Sequence, residues 1–181
     1  SYPEDPLVKY ALYGLGWTSI SQGRYQPALE FFERLVAMYG KDDFFDSVMF
    51  GRLRAYLGLM KIDEAENEYK ALKTDFPKSP WTEHAAAEIG WFYFSKRDYQ
   101  KSIDFYQTLS DKKESDYRPI SLFMMGENHY NMKQYQNALS YYNQAGDLSK
   151  MKELSEKILF RKGITHYILQ DYQNAAKYLG E

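Results

Sequence analysis

Three histidines, His84, His129 and His166, are the residues of this chain that most directly suggest metal or acid–base chemistry. Metal ligands on one helix need i, i+3 or i+4 spacing with a carboxylate alongside, and none of the three has such a neighbourhood. His129 and His166 are instead 37 residues apart, in a slot where Tyr56 and Tyr93 stand elsewhere in the chain. A slot shared by Tyr and His at a fixed spacing reads as a packing position. Asp42, Asp43 and Asp46 cluster with Phe44 and Phe45 at a junction where helix capping and the helix dipole account for acids. Glu64, Glu66 and Glu68 alternate along a helix, so they do not converge on one face and read as solvated surface rather than an acid–base pair. No Gly-rich phosphate loop, nucleophile elbow or Ser–His–Asp set can be assembled. The chain has no cysteine, which removes disulfides, thiolate nucleophiles and Cys-based zinc sites together. The expectation is a chain with no catalytic residues, no metal and no cofactor.

Composition points the same way. Across 181 residues, 23 basic side chains face 25 acidic ones for a formal net charge of −2, so no long-range field draws the chain to nucleic acid or anionic lipid. No apolar run approaches the roughly 18 residues that would span a bilayer, so direct membrane insertion is not expected. Aromatic residues make up 18% of the chain, with 18 Tyr, which implies large side chains buried again and again.

Self-comparison shows where they go. The segment Ser1-Tyr2-Pro3-Glu4-Asp5-Pro6, with Gly16-Trp17 downstream, reappears as Asp75-Phe76-Pro77-Lys78-Ser79-Pro80 with Gly90-Trp91, every pair offset by 74, or twice 37. A second landmark recurs between them as Tyr25-Ala28-Phe32, Ile62-Ala65-Tyr69, Tyr99-Ser102-Tyr106, Tyr135-Ala138-Tyr142 and Tyr172-Ala175-Leu179. Each period reads as two helices joined by a short turn. The first carries apolar residues at helical spacing, as in Leu12 and Leu15, and ends in polar turns such as Ser21-Gln22-Gly23-Arg24. The second is amphipathic, with Leu29, Phe32, Leu35 and Val36 on one face. Gly16, Gly90, Gly126 and Gly163 recur in the first helix opposite the Ala or Ser row of the second, so the backbones can approach closely. A lone hairpin has nothing to cover its second apolar face, and stability must come from stacking neighbours.

With Leu15-Gly16, Tyr56, Ala28, Ala65, Ala138, Ala175, Phe32 and Pro77 on its signature slots, the pattern resembles the tetratricopeptide repeat, across essentially the whole chain. The resemblance implies an all-α fold, a right-handed superhelical solenoid of antiparallel helix pairs with about ten helices. The expected organisation is a single array over 1–181, with repeats near 7–43, 44–79, 80–116, 117–152 and 153–181, the last incomplete. A period of 36 to 37 residues is longer than the family's 34. Together with the Phe76-Pro77-Lys78-Ser79-Pro80 junction it resembles arrays of bacterial envelope proteins, of the outer-membrane-assembly lipoprotein and Tol-Pal-associated types, which favours the periplasm over the cytoplasm. The usual Gly slot holds Leu53 in the second repeat. Both ends look cut from a longer stack.

In this family the first helices line a concave groove. Carried over, that geometry puts Tyr13, Trp17, Phe50, Arg54, Ala87 and Trp91 along it, followed by Phe94, Phe123, Glu127, Tyr130, Phe160 and Ile164. Chaperone-binding members use Lys and Asn in such slots to clamp a terminal carboxylate; aromatic residues here argue against that clamp. Aromatic anchors with occasional Arg and Glu suit an apolar peptide or partner helix. The implied function is a protein–protein interaction scaffold. A self-associating spacer, forming a homo-oligomer through exposed apolar ends, is the main competitor. An RNA-binding repeat would need a basic face, which the balanced charge does not provide.

Overall fold

A computed structural model describes residues 6–41 and 44–180, which form ten α-helices and, among the described residues, no strand. They run in sequence as α1 (Pro6–Ser21), α2 (Tyr25–Tyr39), α3 (Phe45–Gly58), α4 (Ile62–Asp75), α5 (Pro80–Ser95), α6 (Tyr99–Ser110), α7 (Arg118–Asn131), α8 (Tyr135–Leu148), α9 (Lys152–Ile168) and α10 (Tyr172–Leu179). Asp42, Asp43 and the leading Ser1–Asp5 half of the long sequence match lie outside the described residues.

The turn inside every hairpin shares one backbone pattern. Gly23, Met60, Arg97, Lys133 and Gln170 all have φ between 61° and 70°, a left-handed backbone that only the first of them adopts without a Cβ penalty. The next residue donates its N–H five residues back, Arg24 to Ser19, Lys61 to Tyr56, Asp98 to Tyr93, Gln134 to His129 and Asp171 to His166, at 2.8 to 3.0 Å. Each left-handed residue also donates three residues back, as Lys133 does to Tyr130 at 2.9 Å. This pair of bonds is a Schellman closure, which satisfies carbonyls that the end of the first helix would otherwise leave bare. The carbonyl of the same donor residue then accepts from the small residue of the next helix, for example Ala138 N–H to Gln134 at 3.0 Å. The small-residue row and the turn are therefore one local device.

The chain packs as two compact units, Ser1–Ile89 and Gly90–Glu181, with the boundary inside α5. In the first unit Leu12, Ile20, Ala28, Leu29, Phe32, Leu35, Val48 and Ala55 form the core. The Phe32 ring is its wedge. A Cβ added to Gly16 of the same hairpin would sit 2.4 Å from that ring, and one added to Gly51 of the following hairpin 2.5 Å. Leu53, which replaces the expected glycine, is fully buried, and Gly51 two residues earlier makes the room between hairpins instead. In the second unit Leu122, Ala138, Tyr142, Ala145, Leu154 and Ile158 form the core, and Tyr142 lies against Gly126 as Phe32 lies against Gly16. Where Ser102 replaces alanine in the small-residue row, the substitution is matched: Asn128 donates its amide to the buried Ser102 hydroxyl at 3.0 Å.

Candidate partner-binding face

The first helices of the first unit carry a continuous run of rings. Tyr13 on α1 stacks on Phe44 at 5.0 Å and meets Trp17 edge-on at 6.3 Å. Trp17 in turn lies 5.9 Å from Phe50 on α3 and 6.0 Å from Trp81 on α5. Phe50 and Trp81 stack at 5.0 Å, and His84 packs edge-on to Phe50 at 5.8 Å. Polar links between neighbouring first helices recur at a separation of 34 residues. The Tyr13 hydroxyl and Ser47 Oγ are 2.7 Å apart, and Arg54 Nε lies 3.4 Å from Glu88 Oε1. Tyr13, Trp17 and Trp81 are half-buried, so their outer faces are open to a ligand. Phe50 is 4% exposed and supports Trp81 from beneath.

In the second unit Trp91 on α5 is 54% exposed and stacks on Phe94 at 5.5 Å. Phe94, Phe123 and Tyr130 are half-buried, and Phe160 on α9 is 56% exposed. Glu127 has a different place: it is 6% exposed, its Oε1 accepts from the Tyr142 hydroxyl at 2.6 Å and its Oε2 from Arg161 at 2.5 Å. Arg161 also lies over the Tyr130 ring, 5.2 Å from its centroid. Burial, and then the Glu127 carboxylate beside it, push the Tyr142 phenol well above its ordinary pKa, so it stays a hydrogen-bond donor. Glu127 thus ties α7, α8 and α9 together.

The histidines follow their slot. His129 stacks on Tyr141 at 5.1 Å and His166 on Tyr178 at 5.5 Å, just as Tyr93 stacks on Phe105 at 5.9 Å in the preceding copy. His84 lies 5.2 Å from the Trp81 ring. Among the described residues no three His, Asp or Glu side chains are grouped to hold a metal. Asp46 does more than favour a helix start: its Oδ2 accepts from Ser79 Oγ at 2.6 Å, tying α3 to the junction before α5. Glu68 departs from the solvated surface expected of its neighbours and turns inward to Arg52 at 2.7 Å. Burial raises its carboxyl above the usual value, with the Arg52 guanidinium opposing.

Phe44, Trp81 and His84 belong to the ring run although groove slots alone do not name them. A signal exists in the sequence: Leu7, Phe44, Trp81, Tyr117 and Leu154 recur at the same 37- or 36-residue spacing at the start of each first helix.

Comparison with known proteins agrees with this architecture. The tetratricopeptide repeat model matches residues 10–42 and 121–148. No protein of curated function matches the chain. Among solved structures, the Pseudomonas aeruginosa PilF structure is 14% identical with a TM-score of 0.70, covering 96% of this chain and 74% of that one. A MamA RS-1 double mutant is 13% identical, TM-score 0.70, covering 96% and 91%. A putative kinesin light chain with tetratricopeptide-like repeats from Podospora anserina is 17% identical, TM-score 0.66, covering 98% and 94%. At these identities the likeness is one of fold. It establishes the all-α, tetratricopeptide-like architecture, and with the sequence model it supports the tetratricopeptide repeat family.

Proposed function

We propose that this tetratricopeptide-like chain is a non-catalytic scaffold whose first helices hold an apolar peptide or partner helix on their aromatic face. One observation carries the reading: large rings on the first helices, Trp91 above all, are left open to solvent while their repeat-mates are used in packing. An exposed indole resting on a second ring offers a rigid apolar surface with an N–H donor at its edge, the kind of anchor that dominates protein interfaces. Tyr13, Trp17 and Trp81 extend the apolar surface within the first unit, the Trp17 indole nitrogen being buried, with the Arg54–Glu88 pair as a polar margin. Phe50 and Glu127 act beneath the face, as a support and an interhelical tie.

The test begins with peptides selected from a random display library on the purified chain. Selected sequences are expected to be rich in aromatic and branched aliphatic residues, and Trp91→Ala is expected to weaken them by roughly tenfold or more with an unchanged melting temperature. Trp91 suits this better than Trp17, whose ring also packs on Phe32 at 5.9 Å and whose loss would disturb the core. Undiminished binding by Trp91→Ala would place the ligand elsewhere. The Phe76-Pro77-Lys78-Ser79-Pro80 junction supports a further element of the proposal, that the partner belongs to a bacterial envelope. Capture from envelope extract but not from cytosol is the expected result, and the reverse would remove that element. Sedimentation equilibrium separates the scaffold from a self-associating spacer, because the scaffold stays monomeric as concentration rises.

A further inference from the structure

The second unit contains an apolar cleft of about 250 Å³, lined by none of the second-unit rings Trp91, Phe94, Phe123 and Tyr130. One wall is Tyr117, Pro119 and Ile120, at the start of α7, and the other is Met151 and Leu154, at the start of α9. Asp116 and Lys150 stand at its rim, both exposed. Two of the wall side chains are unusually open for their type, Ile120 at 43% and Met151 at 64%.

The internal repeat shows why the cleft is there. Helices α3 and α4 correspond to α7 and α8 with a constant offset of 73, since Phe45–Gly58 becomes Arg118–Asn131 and Ile62–Asp75 becomes Tyr135–Leu148. In the first unit the corresponding junction is sealed twice. The ring of Phe76, the residue that ends α4, packs on Phe45 at 5.9 Å, and Asp46 accepts the Ser79 hydroxyl. In the second unit both seals are missing. Ser149 stands where Phe76 would be, and its hydroxyl turns to Met151 O at 3.3 Å. Arg118 stands where Phe45 would be and reaches back to the Ser110 carbonyl at 3.1 Å. Pro119 and Lys152 replace the Asp46–Ser79 pair. Two rings and a hydrogen bond have been taken out of the junction, and the polar Asp46, Ser47 and Lys78 of the first unit have become the apolar wall residues Pro119, Ile120 and Met151.

We infer that this cleft is a receptor for one aromatic side chain presented by a protein partner, seated beside Ser149, the counterpart of Phe76. A dry apolar cavity of about 150 Å³ is enough to hold benzene, so a phenyl ring fits the space. Asp116 and Lys150 at the rim are a carboxylate for the backbone N–H and an ammonium for the backbone C=O that flank such a residue in an extended segment.

The whole chain, labelled at Met and Ile methyl groups, is titrated with N-acetyl-L-phenylalaninamide, with N-acetyl-L-alaninamide as control. The expected result is a saturable shift of the Met151 and Ile120 methyl resonances with the phenylalanine probe, at least several-fold weaker with alanine, and retained in Trp91→Ala. Ser149→Phe restores the ring that Phe76 supplies and is expected to abolish the shift. Met151→Glu, at an exposed position, serves the same purpose if Ser149→Phe does not fold. Absence of a saturable shift, a shift confined to the Trp91 region, or an undiminished response in the folded variant would overturn the inference. A failure here leaves the first-helix face untouched, because that face is read through Trp91.

Discussion

At the scale of single residues, close approach and burial explain most of what this chain does. The Phe32 ring is held between Gly16 and Gly51, which belong to successive hairpins. Gly51→Ala and Gly16→Ala are each expected to destabilise the fold by about 1 to 3 kcal/mol, the usual cost of forcing extra volume into a packed core, and urea unfolding would show it. Gly14, whose added Cβ would meet nothing within 4 Å, is the control. Glu68 gives a pH prediction. Burial raises its carboxyl above the usual carboxylate range against the pull of Arg52. A carboxyl with a higher pKa in the folded state binds its proton more tightly there, so its contribution is fully present below the unfolded pKa and is lost as pH rises through the folded one. Glu68→Gln is therefore expected to gain stability relative to the parent as pH rises above about 4. Urea midpoints across that range measure it, and a gap that runs the other way would contradict the burial argument.

At the scale of elements, the repeating unit is a turn that imposes a left-handed residue whatever side chain is present. Met60, Arg97, Lys133 and Gln170 hold φ near 61° or 62° where the first copy has Gly23. A left-handed L-residue costs roughly 1 to 2 kcal/mol, partly offset by the greater freedom that glycine has in the unfolded chain. Lys133→Gly, at an exposed site, is expected to stabilise by some tenths to about 1 kcal/mol, read from the shift in melting temperature. The helical hairpins themselves were legible in the sequence, because the Ala and Ser row marks the residue whose N–H bonds the turn carbonyl at the start of each second helix. Burial of particular rings was not legible. Phe50 and Trp91 read alike as groove aromatics, yet Phe50 lies buried under Trp81 while Trp91, stacked on Phe94, stays 54% exposed. That difference depends on which neighbour the next hairpin supplies, and a spacing rule carries no such information. Glu127 illustrates the same gap, since its partners Tyr142 and Arg161 come from two other helices.

At the scale of the molecule, successive hairpins cover one another within each unit, and the proposed partner face is made of residues left over from that packing. No helix among the described residues is long and apolar enough to cross a membrane. The period, the small-residue row and the apolar stripes were enough to read the all-α hairpin fold from the sequence. The cleft between the starts of α7 and α9 was not, because its lining comes from exchanges at corresponding positions, Phe76 for Ser149, Ser47 for Ile120 and Lys78 for Met151. Such an exchange leaves the period intact. The chain's three tryptophans, Trp17, Trp81 and Trp91, all stand on first helices and make the proposed binding face directly observable. The most direct test follows their indole N–H resonances while a display-selected peptide is titrated in. The account predicts that the Trp91 resonance moves and saturates with the binding curve, with Trp81 or Trp17 responding to peptides that reach the first unit. A peptide that binds with all three indole resonances unmoved would contradict it.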